Sequence, residues 1–163
     1  MERVDKINYY LDIAEAILKR GTCTRKNYGC IIVKNDEIIS TGYTGAPRGR
    51  KNCIDLGYCI KKQTFPNIRH GGYDACRSVH AEQNAMLSAQ RKDMLDASMF
   101  LVGIRQESNV YEEGASPCQI CRRLIINSGI KYVYVRINKD NYNKILVDDW
   151  ITEDDSLSGI TTY

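Results

Sequence analysis

The chain has no apolar run of about 18 residues, so it contains no membrane-spanning helix of ordinary length. Its first residues, Met1-Glu2-Arg3-Val4-Asp5, lack the basic and then apolar segments of a secretory signal, and the expected location is the cytoplasm. Charge of one sign is also missing. Against 23 Lys and Arg stand 20 Asp and Glu, leaving +3. That is too small and too scattered for a nucleic-acid-binding face, although it suits a small anionic ligand. No internal repeat occurs, and no linker is long enough to separate two units, so one domain over 1–163 is expected. A domain of this length buries about 70% of the surface its unfolded chain exposes, enough for a true core. Histidine is scarce, with only His70 and His80 present.

Cysteine, by contrast, is abundant. Seven is an odd number, and a reducing compartment disfavours a disulfide framework, so metal binding accounts for them better. Residues 78–86 contain His80 and, two positions on, Glu82; downstream runs Pro117-Cys118-Gln119-Ile120-Cys121. A catalytic zinc keeps three protein ligands and an open position for water, and His80, Cys118 and Cys121 supply three soft donors. Cys118 and Cys121 are three apart, so both sulfurs can face one side at the start of a helix, where the dipole favours thiolates. Glu82 lies too near His80 in sequence for a fourth ligand and is left to carry protons. Half of a structural zinc ribbon would explain the two cysteines but would give Glu82 no role. The combination, His-x-Glu and then Pro-Cys-x-x-Cys, is the signature shared by zinc-dependent nucleobase deaminases.

The apolar periodicity predicts a helix over 6–20, a hairpin of strands over 29–34 and 37–43 turning at Asn35-Asp36, a helix over 80–91, a strand over 98–104, a helix over 118–128 with Leu124 and Ile125 inward, a strand over 130–137, and a short helix within 138–150. Strands alternating with helices imply a three-layer α/β arrangement around a central sheet. Residues 44–78 show little periodicity and hold Cys53, Cys59, His70 and Cys76. A loop of this length is uncommon unless it is functional or pinned, and a metal would pin it.

These residues resemble the deoxycytidylate (dCMP) deaminase family of the zinc-dependent cytidine deaminase superfamily. The resemblance runs over about 24–137 and rests on YGCIIVK (28–34), ISTGYTGAPRG (39–49), CRSVHAEQNA (76–85) and PCQIC (117–121). It implies a three-layer α-β-α sandwich with a mixed sheet of about five strands, and hydrolysis of dCMP to dUMP and ammonia in pyrimidine deoxynucleotide metabolism. It also implies assembly into homodimers or hexamers and regulation by dCTP and dTTP. Carried over by position, His80, Cys118 and Cys121 match the zinc ligands, Glu82 the proton shuttle, and Ala81 the residue whose backbone touches cytosine. Arg25, Lys26 and Asn27 lie where the family holds the 5′-phosphate. Cys23, Cys53 and Cys76, with Cys59 or His70, match a second, structural zinc; free thiols are the alternative. Cys30, inside the first strand, reads as a small core residue. Thr44 stands where the family has an Asn that bonds the sugar, which points to altered sugar recognition. Two competing readings are a deaminase of another cytosine nucleotide or a modified base, and a non-catalytic zinc-stabilised accessory protein of DNA uptake. The retained Glu82 speaks against the second.

Overall fold

A computed structural model of the chain describes residues 2–68, 72–112 and 114–154. The chain opens with α1 (Lys6–Leu18), started by Asp5, whose carboxylate accepts from the amides of Ile7 and Asn8 at 3.0 Å each. Strands β1 (Lys26–Lys34) and β2 (Glu37–Tyr43) follow, joined by Asn35 and Asp36, both with positive φ (51° and 65°). That is the two-residue turn whose twist matches a hairpin.

Five strands form the main path of the sheet, in the order β2-β1-β3-β5-β6, with β3 at Ser98–Arg105, β5 at Tyr132–Arg136 and β6 at Tyr142–Leu146. The two-residue β4 (Val110–Tyr111) pairs with the end of β3. All pairings are antiparallel except β3 with β5. The crossover between those two carries α6 (Gln119–Ser128), as parallel strands require.

The central strands are buried on both faces. Cys30, Ile32, Met99, Leu101, Val133 and Val135 pack toward α4 (Ala81–Leu87) and α6. The alternate residues Ile31, Val33, Phe100, Val102 and Tyr134 pack toward α1. Two glycines let the helices lie close. A Cβ on Gly29 would come 2.0 Å from the Ala14 carbonyl oxygen of α1, and one on Gly42 would come 2.2 Å from the Ala81 oxygen of α4. Gly42 pairs with Cys30, so the two glycines face opposite sides of the hairpin and dock one helix each.

The sandwich and its mixed sheet are as the sequence implies, and four local expectations are corrected. Within 138–150 the chain forms β6 before the short α7 (Val147–Thr152), because Tyr142 to Leu146 extends the sheet from β5. The inward row of α6 is Cys121, Ile125 and Ser128, and Leu124 faces outward. The helix expected over 80–91 stops at Leu87, with a separate turn of helix, α5, at Arg91–Met94. The long stretch after β2 is not structureless: it carries α2 (Cys53–Leu56), α3 (Ile60–Thr64) and a 3-10 turn at Tyr73–Ala75. It is tied down by distant hydrogen bonds, from the Ile54 amide to the Thr22 carbonyl (3.2 Å) and from Arg77 Nε to the Lys51 carbonyl (2.7 Å). No helix among the described residues is long and apolar enough to cross a membrane.

Candidate active site

The site forms where two helices begin. Beyond the end of β2, Gly45 and Val79 exchange backbone hydrogen bonds at 3.2 and 2.8 Å. This bridge delivers His80 to the N-cap of α4, where its amide donates to the Gln83 side-chain oxygen at 2.9 Å. Ser40 of β2 donates to the Ala85 carbonyl at 2.8 Å and fixes the helix along the strand. Glu82, in the first turn, is only 4% exposed. Cys118 caps α6 after the buried Pro117, and Cys121 lies in its first turn.

The two helix starts converge. His80 Nδ1 lies 3.5 Å from Cys118 Sγ and 3.4 Å from Cys121 Sγ, and one donor atom from each of the three residues falls within 4.8 Å of the others. A tetrahedral zinc with Zn–N near 2.1 Å and Zn–S near 2.3 Å would hold nitrogen and sulfur about 3.6 Å apart, so the trio fits the metal. Its electrostatics agree. The hydrogen bond from the Cys121 thiol, aided by His80, holds Cys118 well below the ordinary thiol range despite burial. The same hydrogen bond, with burial, pushes Cys121 up. The pair thus shares a proton that a cation would displace. Burial works to lower the His80 pKa, but the Cys118 hydrogen bond and the Glu82 charge outweigh it, and His80 titrates above its usual value. Burial raises Glu82 against the pull of His80, which suits a carboxyl that must both accept and return protons.

The pocket over this trio is walled by Arg25, Lys26, Tyr28, Thr44, Lys61 and Tyr73, among others. Of the residues expected to meet a substrate, Arg25, Lys26 and Thr44 are in the wall and Asn27 and Ala81 are not. Asn27 points the other way along β1. Its side chain accepts from the Cys23 amide (2.9 Å) and donates to the Cys23 carbonyl (3.1 Å), pinning the turn after α1. Ala81 is fully buried against Gly42. Lys26 is paired with Glu112 at 2.6 Å, and Glu112 also binds Arg105 Nε at 2.6 Å. Thr44 Oγ1 accepts from the Tyr28 amide at 3.0 Å, which leaves its hydroxyl proton for a ligand.

Sequence reasoning missed Tyr73, whose ring meets the His80 imidazole edge-on at 4.8 Å, and Lys61. Both come from the irregular stretch, where no periodicity marks them. The second cysteine set is gathered but not closed. Cys23, Cys59 and Cys76 line the same pocket, and Cys53 Sγ lies 3.8 Å from the Ser78 hydroxyl. Among the described residues no three of these thiols come within the 4.8 Å spread of the His80 trio. His70 lies outside the described residues.

Comparison with known proteins agrees with this geometry. The chain is 33% identical over 137 residues to the deoxycytidylate deaminase of Mycobacterium phage D29, covering 82% of this chain and 95% of that one. It is 29% identical over 142 residues to the deoxycytidylate deaminase of Schizosaccharomyces pombe, covering 86% of this chain but spanning only 40% of that protein. The crystal structure of dCMP deaminase from the cyanophage S-TIM5 in complex with dCMP and dUMP superposes with a TM-score of 0.55 at 25% identity, covering 83% of this chain and 84% of that one. The family model for the cytidine and deoxycytidylate deaminase zinc-binding region matches residues 4–137, and the chain belongs to that family.

Proposed function

We propose that this chain is a zinc-dependent hydrolase that converts dCMP to dUMP and ammonia. The observation that carries the reading is the convergence of His80, Cys118 and Cys121 beside the buried Glu82, at the floor of one pocket with cations in its wall. In this reading the three donors hold the metal. Zinc, when bound, acts as a Lewis acid that makes water nucleophilic near neutral pH. Glu82 accepts a proton from the attacking water and passes it to the ring nitrogen next to C4 of cytosine. As the C4–N bond breaks, Glu82 moves the second proton to the departing amine. One water is consumed, one ammonia leaves, and the carboxylate is regenerated. Its burial keeps solvent from competing for the proton.

The preference for a monophosphate is supported by the pocket wall and by the dCMP deaminases of phage and yeast that the chain resembles. Thr44, with only a hydroxyl proton to offer, is assigned to the sugar. The test is ammonia release by zinc-loaded protein on dCMP, CMP, deoxycytidine and dCTP. The reading expects dCMP to be the best of the four, and the absence of turnover on all of them removes it.

A second, structural zinc on Cys23, Cys53 and Cys76, with Cys59 or His70, is supported by the proximity of the thiols: the charges of Cys23 and Cys59 bear on both Cys53 and Cys76. Binding would require the stretch around α2 and α3 to tighten. About two zinc ions per fully active chain supports it, and about one removes it. Self-association is supported by the outward apolar face of α4 and α6, where Leu87 and Leu124 are exposed beside Met86 and Met94. Sedimentation at micromolar concentration tests it.

A further inference from the structure

Lys61 is a buried lysine with no counter-ion among the described residues. It sits in α3 and is 8% exposed, yet it lines the pocket together with Arg25, His80 and Glu82. Among the described residues no carboxylate lies within 4.0 Å of its Nζ and no hydrogen-bond acceptor meets it. Its Nζ lies over the face of Tyr73, 4.1 Å from the ring centroid. A ring face offsets only part of the cost of burying an ammonium. Lys26, the other lysine in the wall, already has Glu112 at 2.6 Å. The pocket wall therefore carries several cations, and among the described residues no anion is bonded to Lys61.

We propose that Lys61 receives the phosphate of a nucleoside 5′-monophosphate in this pocket, with Arg25 as its neighbour. The inference rests on the deaminase reading and names the residue that separates nucleotide from nucleoside. Lys61 and Arg25, neither of them in an ion pair among the described residues, match the roughly −1.5 to −2 charge of a phosphate monoester near neutral pH. A triphosphate would bring more charge than they can balance. The Tyr73 ring lies between Lys61 and His80, so an anion that holds Lys61 also fixes the ring that rests on the imidazole.

The test uses the full chain loaded with zinc, in the wild type and in Lys61→Met, Lys61→Gln, Lys61→Arg and Lys26→Met. Calorimetry compares dUMP with deoxyuridine, kinetics compare dCMP with deoxycytidine, and zinc per chain is measured for each protein. Lys61→Met and Lys61→Gln should weaken dUMP binding by about 10- to 100-fold, the loss expected for a charge-assisted hydrogen bond. Deoxyuridine affinity should stay within about twofold, with zinc retained and the loss on dCMP falling on KM rather than kcat. Lys61→Arg should recover most of the affinity. Equal losses for dUMP and deoxyuridine, undiminished dUMP binding, or a selective loss in Lys26→Met alone would overturn the assignment. A wild type that prefers dUMP to deoxyuridine through Lys61 but releases no ammonia from dCMP would remove the deaminase reading and leave Lys61 in place. An active enzyme whose Lys61 variants still prefer dUMP would do the reverse.

Discussion

Buried charge is treated in opposite ways on the α1 side of the sheet and at the pocket. Against α1, Arg136 of β5 is fully buried and ion-paired, although its Nε has no hydrogen-bond partner among the described residues. Its Nη1 binds Asp12 at 2.8 Å and Glu15 at 2.7 Å, and its Nη2 donates to the Asn8 carbonyl at 3.2 Å. Lys139 reinforces Asp12 at 3.0 Å. At the pocket, Glu82 and Lys61 are nearly as buried, and neither has an ion-pair partner within 4 Å among the described residues. A paired buried charge belongs to the architecture, since its ion pairs form before any ligand arrives. An unmatched one is costly to fold around and is retained where a ligand or a reacting proton completes it.

The contrast predicts that substitutions at the two places fail differently. The largest effect belongs to the metal trio. Cys121→Ser should lower zinc affinity by more than the roughly 10- to 100-fold typical of residues that merely support a metal ligand, and activity should vanish with the metal. Zinc titration against a chromophoric chelator measures this. Next comes Arg136→Met, which removes the cation shared by Asp12 and Glu15 and leaves them only Lys139 and the Tyr111 hydroxyl among the described residues. It should cost about 3 kcal/mol in urea denaturation, the lower end for breaking a buried pair because both carboxylates can partly rehydrate. The activity of the molecules that remain folded should hardly change. Lys61→Met should show the reverse, equal or higher stability with lost nucleotide affinity, and similar stability losses for both variants would erase the contrast.

Smaller effects sharpen it. The Arg105 hydrogen bond first, then Lys26, holds the Glu112 carboxyl below its ordinary value of 4.5. A lowered carboxylate pKa stabilises the fold fully above the ordinary value, and that stability is lost as pH falls from there through the lowered one. Wild type should therefore lose stability below pH 4.5 more steeply than Glu112→Gln. The difference should be about 1 kcal/mol or less, since both cations are partly exposed. Urea melts at a series of acid pH values decide it. Thr44→Val removes the acceptor for the Tyr28 amide and should cost about 1–2 kcal/mol in the same assay, whatever it does to sugar preference.

Legibility in the sequence divides along a related line. His80, Glu82, Cys118 and Cys121 were readable because each pair lies within one turn of a helix start, so sequence spacing fixes their geometry. The hairpin was readable from Asn35-Asp36 between two apolar runs. Lys61 and Tyr73 were not, because their places depend on hydrogen bonds between residues far apart in the chain, such as Ile54 to Thr22. Lys26 and Asn27 show the limit from the other side. Both were expected at a ligand, but strand alternation turns Asn27 away, and Lys26, which does stand in the pocket wall, is held by Glu112, 86 residues along the chain. The same limit hid β6, whose partner strand β5 carries the pairing.

Ammonia release from dCMP by zinc-loaded wild type and by Glu82→Gln, with thermal stability recorded on the same samples, tests the central claim most directly. The wild type should release one ammonia for each dUMP formed. The variant should fall by at least about 100-fold, within the range for loss of a general acid–base group, while keeping its zinc and melting no lower, since Glu82 has no ion pair to lose among the described residues. A variant that turns over like the wild type, or a metal-loaded wild type that leaves dCMP untouched, would contradict the account.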